Sequence, residues 1–298
     1  KATGEGYESN NPLYGHTSMM KKVGNIRNFK SIRFARIYMT NFAQEAHLRL
    51  ATLDLVRGEW RSYTKGLYQD IANNQYNIEN PYTSNGSMDV EAVNIEENST
   101  RVPVNYVLPP GISRQTDPGQ AQLIEQNEQS MVFRFNHLAP KDARAVYKNV
   151  VYDMRQYKRL QMFVHAECLP QYEAIEDKDV SCFIRLGSDI KNNYYEYEIP
   201  LNLTPEGLYN DDNREDREKV WKNQFDFALS ALTQAKMDRN RAKRSGNTNV
   251  GNTIPYETYD PENLENKITI LGNPTLEDIQ SIMIGIRNKT TNEVSGEV

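Results

Sequence analysis

Phe183-Ile184-Arg185-Leu186-Gly187, followed by Tyr194-Tyr195-Glu196-Tyr197-Glu198-Ile199-Pro200, is the stretch that decides the fold. In the first run Phe183, Arg185 and Gly187 alternate with Ile184 and Leu186, and the second stops at a proline, which cannot donate to a ladder. Both read as strands. Working outward, Met131, Phe133 and Phe135 alternate, residues 146–153 follow, and Leu160, Met162 and Val164 alternate with Gln161, Phe163 and His165. Downstream, residues 267–271 and 282–287 are strands. These spacings fit a β-sandwich better than strand-helix-strand units, and no Gly-rich strand-to-helix turn occurs. The expectation is a mainly β chain of β-sandwich (jelly-roll-like) modules.

One long amphipathic helix is predicted over 215–244. The segment lacks Pro and Gly, opens on Asp211, Asp212 and Glu215, and closes on Arg239, Arg241, Lys243 and Arg244, the charge order a helix dipole favours. Trp221, Phe225, Ala228, Leu232 and Ala235 supply its apolar stripe. Upstream, residues 1–24 read as an arm or linker, and 25–61 as terminal strands of a first β-sandwich, bounded by Trp60. Residues 62–127 read as a loop-rich connection with short strands near 90–95 and 102–108, its boundary at Pro109-Pro110-Gly111. Residues 128–298 then form a second sandwich. Gly24-Asn25 and Gly272-Asn273 each precede a Ser-Ile phrase, at Ser31-Ile32 and Ser281-Ile282, a weak internal repeat. On that repeat the second sandwich is missing its last strand, and both ends of the chain look cut.

The 298 residues carry 35 Lys+Arg against 40 Asp+Glu, a net charge of −5, which gives no global field for nucleic acid. Hydrophobic residues make up 38% and mean hydropathy is −0.75, so much of the chain is loop or wet surface. No apolar run is long enough for a spanning helix, although barrel strands would leave only alternation as a trace. Cys168 and Cys182 have no Cys-x-x-Cys spacing; they read as two small buried hydrophobes, with a single bridge as the other option.

Chemistry is scarce. His16, His47, His137 and His165 lack metal-site spacing, and no nucleophile elbow or Walker loop is present. His165 and Glu167, two apart on a strand, share a face, either as an acid/base or ligand pair or as a polar strand end. The stretch from Tyr209 to Asn213 has oxygen ligands but not the regular calcium-loop pattern. No catalytic residue, cofactor or metal is expected, and the chain reads as a non-enzyme. Tyrosine is the unusual count, eighteen. Tyr194, Tyr195 and Tyr197, with Trp60 and Trp221, are the candidate interaction surface, suited to a carbohydrate or peptide groove if exposed. Strand-forming tyrosines on a half-wet face are the plainer reading.

The run from Phe29 to Phe42, Phe29-Lys30-Ser31-Ile32-Arg33-Phe34-Ala35-Arg36-Ile37-Tyr38-Met39-Thr40-Asn41-Phe42, continued by Leu48 to Arg61, resembles the SprA (Sov) family of cell-surface proteins. So do Asp153-Met154-Arg155, the run from Leu160 to Glu167, and the opening stretch about Phe183 and Tyr194. The resemblance implies a fragment of a giant outer-membrane barrel, the translocon of the type IX secretion system, coupled in some members to gliding motility. It implies a soluble periplasmic or extracellular portion, outer-membrane attachment through the rest of the chain, and other secretion-machinery subunits and secreted cargo as partners. It brings no catalytic residues. The alternative from the residues themselves is a secreted jelly-roll carbohydrate-binding module with a glycan partner; a glycosidase would need a selected carboxylate pair, and none stands out.

Overall fold

The computed structural model describes residues 6–11, 16–21, 60–63, 65–70, 75–78, 86–114, 116, 125–172 and 174–298. The chain divides into two units, Lys1–Val56 and Arg57–Val298. In the first, β1 (Gly6–Asn11) and β2 (His16–Lys21) pair antiparallel, with Gly6 opposite Lys21. The segment read as an arm therefore holds a strand pair. The strands expected between 25 and 59, and the first copy of the internal repeat, lie outside the described residues.

The second unit runs through β3 (Arg61–Tyr63), β4 (Tyr68–Asp70), β5 (Gln75–Ile78), β6 (Ser87–Asn94), α1 (Ile95–Asn98), β7 (Gln129–Leu138), β8 (Ala143–Tyr152) and β9 (Arg159–Val164). It continues with β10 (Val180–Asp189), β11 (Asn193–Pro200), α2 (Arg214–Val220), β12 (Asn223–Ala228), α3 (Leu229–Arg244), β13 (Tyr256–Tyr259), β14 (Lys267–Leu271), β15 (Ile279–Asn288) and β16 (Val294–Glu297). The unit is mainly β, in several antiparallel sheets. The largest has the order β13-β14-β11-β10-β15-β8-β3; the smaller ones are β6-β7-β16, β9-β12 and β4-β5.

Alternation gives the large sheet two buried faces. One carries Cys182, Ile184 and Leu186 of β10, Tyr195 and Tyr197 of β11, Ile268 and Ile270 of β14, and Ile284 and Ile286 of β15. Against it pack Phe133 and Phe135 of β7, Val164 of β9, and Phe225 and Phe227 of β12. The Tyr197 ring lies flat on Phe227 at 3.8 Å between centroids and 7°, so the two layers meet directly. Each fully buried aliphatic or aromatic side chain here contributes about 1.5–3 kcal/mol relative to exposure. Trp60, half-buried, leans on the same core at its edge. The opposite face holds Phe183, Ala143, Ala145 and Met283 under Leu67.

The predicted long helix is broken. Between α2 and α3 the chain extends as β12, whose Asn223, Phe225 and Phe227 are buried while Gln224 and Asp226 are exposed, and which pairs with β9 from Asn223–Val164 to Ala228–Arg159. The period of two at these positions fits a strand between two layers, and tertiary pairing overrides the helix-favouring charge order around it. Only α3 keeps the helical stripe, burying Leu229, Leu232 and Ala235.

The loop-rich connection is also revised. Residues 57–298 form one unit, so Pro109-Pro110-Gly111 is a turn within it and not a domain boundary. β6 lies within 62–127 and pairs with β7 over its whole length, Ser87 opposite Asn136 and Asn94 opposite Gln129. Val104, Tyr106 and Val107 are buried against Val220 and Trp221. At the other end, β16 is a strand that the repeat argument did not foresee; it pairs with β7 through Val294–Leu138 and Glu297–Arg134.

Candidate functional site

Three short sequences of different origin converge beside Trp221. The indole N–H donates to Val107 O at 2.8 Å, and the ring meets Tyr106, Phe163 and His165 edge-on at 5.9, 6.5 and 6.1 Å. Trp221 sits at the turn that ends α2, its backbone N–H donating to Arg217 O, while at the other end of the helix Asn213 is the cap, accepting from Glu215 N–H. Next to it is a cavity of about 230 Å³ between β7 and β9, with Cys182 and Ile284 of the large sheet beneath and Val104 and Tyr106 above. Burial pushes the Tyr106 hydroxyl pKa up, and that hydroxyl shares a 2.9 Å hydrogen bond with Ser130.

At one end the cavity meets an ionic cluster. Arg101 bonds through one nitrogen to the carboxylates of both Glu167 and Glu297, each almost fully buried. Arg134 reaches the other oxygen of Glu297 through Nη2 at 3.0 Å and Nε at 3.2 Å. His165 Nε2 stands 3.5 Å from Glu167, while its Nδ1 faces Val220 O at 3.0 Å and Thr204 Oγ1 at 3.2 Å. The His165–Glu167 pair expected from the sequence does meet on one face. Its carboxylate is engaged by Arg101, and its imidazole is tied to the end of α2, so the arrangement clamps β16, β9 and the 101–107 segment together. Arg101, Arg134 and Glu297 were not legible: the first and last stand 196 positions apart.

The tyrosines are not an exposed surface. Tyr194, Tyr195 and Tyr197 are each 1% exposed and do not lie together. Tyr194 is on the outer face of the large sheet, with the Arg185 guanidinium 4.2 Å from its ring centroid and Asn77 donating to its hydroxyl at 2.8 Å. Tyr195 and Tyr197 point into the core. Tyr195 donates to Pro274 O at 2.9 Å, with its pKa pushed up to about 12 by burial; Tyr197 donates to Asp260 and accepts from Asn266 at 3.0 Å. Their hydroxyls find partners inside, which lets whole rings be buried between layers. Of the five candidate residues only Trp221 borders the cavity, and Trp60 lies at a sheet edge.

A second ionic cluster, unanticipated, occupies the outer face of the large sheet. Arg185, Glu196 and Glu198 project there with Arg287, because register sets Arg185 opposite Glu196 and Ser181 opposite Arg287. Arg287 Nη1 bonds to Glu196 at 3.0 Å and to Glu198, and Glu198 also takes Lys289 at 2.9 Å and Ser181 at 2.7 Å. Burial raises the Glu196 pKa, but the flanking Arg185 and Arg287 outweigh it and hold the carboxyl down at about 2. The signal in the sequence was a pair of opposite charges facing across two otherwise apolar strands.

Cys182 is buried and its thiol pKa is pushed well up by burial; Cys168 is half-buried, and neither forms a disulfide. Among the described residues no three His, Cys, Asp or Glu side chains converge to hold a metal ion, and no helix is long and apolar enough to cross a membrane.

The family described as motility related/secretion protein matches residues 16–298. The chain belongs to the SprA family. The comparison with curated proteins gave no match. The SprA match takes in β2 of the first strand pair and all of the second unit, including the cavity and both ionic clusters. It gives the chain a motility- and secretion-related context, and with it a role in the cell envelope.

Proposed function

We propose that this chain is a non-catalytic structural and interaction module of a SprA-type outer-membrane translocon, working in type IX protein secretion and, in some relatives, gliding motility. The family match over residues 16–298 carries the reading. Two further features support it. Buried ion clusters drawn from distant segments of the chain fasten the second layer through Arg101 and Arg134 and brace the large sheet through Arg287, which suits a rigid element in a larger assembly. The surface near α3 is broken by exposed Tyr157 and Met237, the kind of large side chains that anchor protein contacts. Its partners are then other subunits of the secretion machinery and secreted cargo, on the periplasmic or extracellular side of the outer membrane.

In cells making the full-length protein, deletion of residues 57–298 is expected to abolish cargo secretion, and a photo-crosslinker at Tyr157 is expected to capture secretion subunits. Normal secretion and motility after the deletion would refute the role. The glycan-binding alternative drew on exposed tyrosines, and Tyr194, Tyr195 and Tyr197 are buried.

A further inference from the structure

A groove of about 840 Å³ opens beside α3, and its lining carries four cations, Arg155, Lys158, Arg159 and Lys236, while among the described residues no Asp or Glu lines it. Two of the four are neutralised from outside the groove, Arg155 by Asp153 at 2.6 Å and Arg159 by Asp226 and Glu262 at 2.7 and 2.9 Å. Lys158 and Lys236 form no ion pair among the described residues.

Lys236 stands over a second uncompensated charge. Its Nζ donates to Pro274 O at 2.6 Å, the carbonyl that also accepts from the Tyr195 hydroxyl. One turn further along α3, Arg239 is 0% exposed, and its guanidinium meets neutral oxygens, Gly272 O at 2.6 Å and Asn240 Oδ1 at 3.2 Å. Buried charges are ordinarily matched by a counter-charge, because neutral acceptors do not repay the loss of water. Arg185 and Arg287, equally buried on the large sheet, each face the Glu196 carboxylate. At the groove that partner is missing: burial holds the pKa of both Lys236 and Arg239 down, and the Arg239 charge lowers that of Lys236 further.

Between the cations the groove is apolar. Leu229 and Leu276 are buried along it, and Tyr157 and Met237 stand 67% and 53% exposed. Such a surface selects a ligand that brings negative charge and an apolar side chain together. A chain of net charge −5 has no field to gather nucleic acid, and a flat bilayer does not reach the half-buried Lys236. We propose that this groove docks an acidic peptide segment of a partner protein, with an apolar side chain set against Tyr157 and Met237 and carboxylates on Lys158 and Lys236. The protein nature of the occupant rests on the interaction-module role proposed above; its negative charge rests on the cations alone.

Fluorescence anisotropy of labelled acetyl-Asp-Glu-Leu-Asp-Phe-Glu-Glu-amide with the 298-residue chain tests it. Binding is expected with a Kd of about 100 μM or tighter at low salt, weakening as salt rises, and with a shift of the Met237 methyl resonance. The peptide with Asn and Gln for its acids is expected to bind about tenfold or more weakly, as is the acidic peptide to Lys236→Met. Lys158→Gln, at an exposed site that folding does not depend on, is expected to cost about threefold. Lys243→Gln, in the last turn of α3, is expected to change nothing. Equal loss in Lys243→Gln, equal binding of the neutral peptide, or a shift of other methionine methyls without Met237 would overturn the proposal. So would no binding up to about 1 mM peptide, or binding of phosphatidylglycerol vesicles or a DNA oligomer that Lys236→Met abolishes. Secretion is scored separately in cells. No peptide binding by a chain whose residues 57–298 are needed for secretion removes this inference alone; peptide binding by a chain in which they are dispensable removes the secretion role alone.

Discussion

Gly285 faces Phe183 across the β10–β15 ladder so closely that a Cβ at Gly285 would lie 2.5 Å from Phe183 Cζ and 2.6 Å from Arg144 O. The absent side chain is what lets the Phe183 ring lie against β15 and carry the Arg287 guanidinium at 4.6 Å. Gly285→Ala is expected to lower stability by about 1–3 kcal/mol, as overpacking does, or more if β15 cannot shift. Urea unfolding of the wild type and variant measures it, with the midpoint moving and the slope unchanged.

Acid should unfold the protein through the outer cluster. The Glu198 carboxyl is buried, yet Arg287, Lys267 and Lys289 hold its pKa well below the ordinary value, and Glu196 sits at about 2. Both folded pKa values lie below the unfolded one of about 4.3, so their stabilisation is complete above that pH and is lost as pH falls toward about 2. Circular dichroism across that window is expected to show cooperative loss of structure. In Glu198→Gln the acid dependence becomes shallower while stability at neutral pH drops by about 3–5 kcal/mol, because Arg287 keeps its charge with one acceptor fewer.

Tyr197→Phe keeps the stack on Phe227 but strips a partner from both Asp260 and Asn266, which are themselves buried. A loss of about 1–3 kcal/mol is expected, the penalty of unsatisfied buried polar atoms. Thermal unfolding checks it, and an unchanged Tm would contradict the placement of the hydroxyl.

Arg101→Met is expected to act at a distance in sequence. It leaves the Glu167 and Glu297 carboxylates facing each other without the shared cation, although Arg134 still holds Glu297. Amides of β16 should then exchange faster than those of β10, as the clamp on the second layer opens before the large sheet does. Uniform protection across both would argue against the clamp.

Most of the strands were legible because they alternate: Met131, Phe133 and Phe135 on β7, Leu160, Met162 and Val164 on β9, Phe183 to Gly187 on β10 and Tyr194 to Pro200 on β11. β12 was not, since Phe225 and Phe227 sit inside a run whose charges and lack of Pro and Gly favour helix. The tyrosines were readable as strand formers, but their burial depends on Pro274, Asp260 and Asn266, distant residues that answer the hydroxyls. The cavity was invisible for the same reason. Its walls come from β7, β9 and the 104–106 segment, and nothing local in any of them announces the others.

The bond from Arg134 to Glu297 spans 163 positions and the one from Arg101 spans 196. β7 can take β6 as soon as both exist, but its other edge waits for residues near the far end of the unit. Closing so long a loop costs chain entropy before any contact rewards it, and topologies of this kind fold slowly. A chain emerging from a ribosome therefore leaves that edge of β7 open until residue 297 is free, and β16 acts as the latch that closes it.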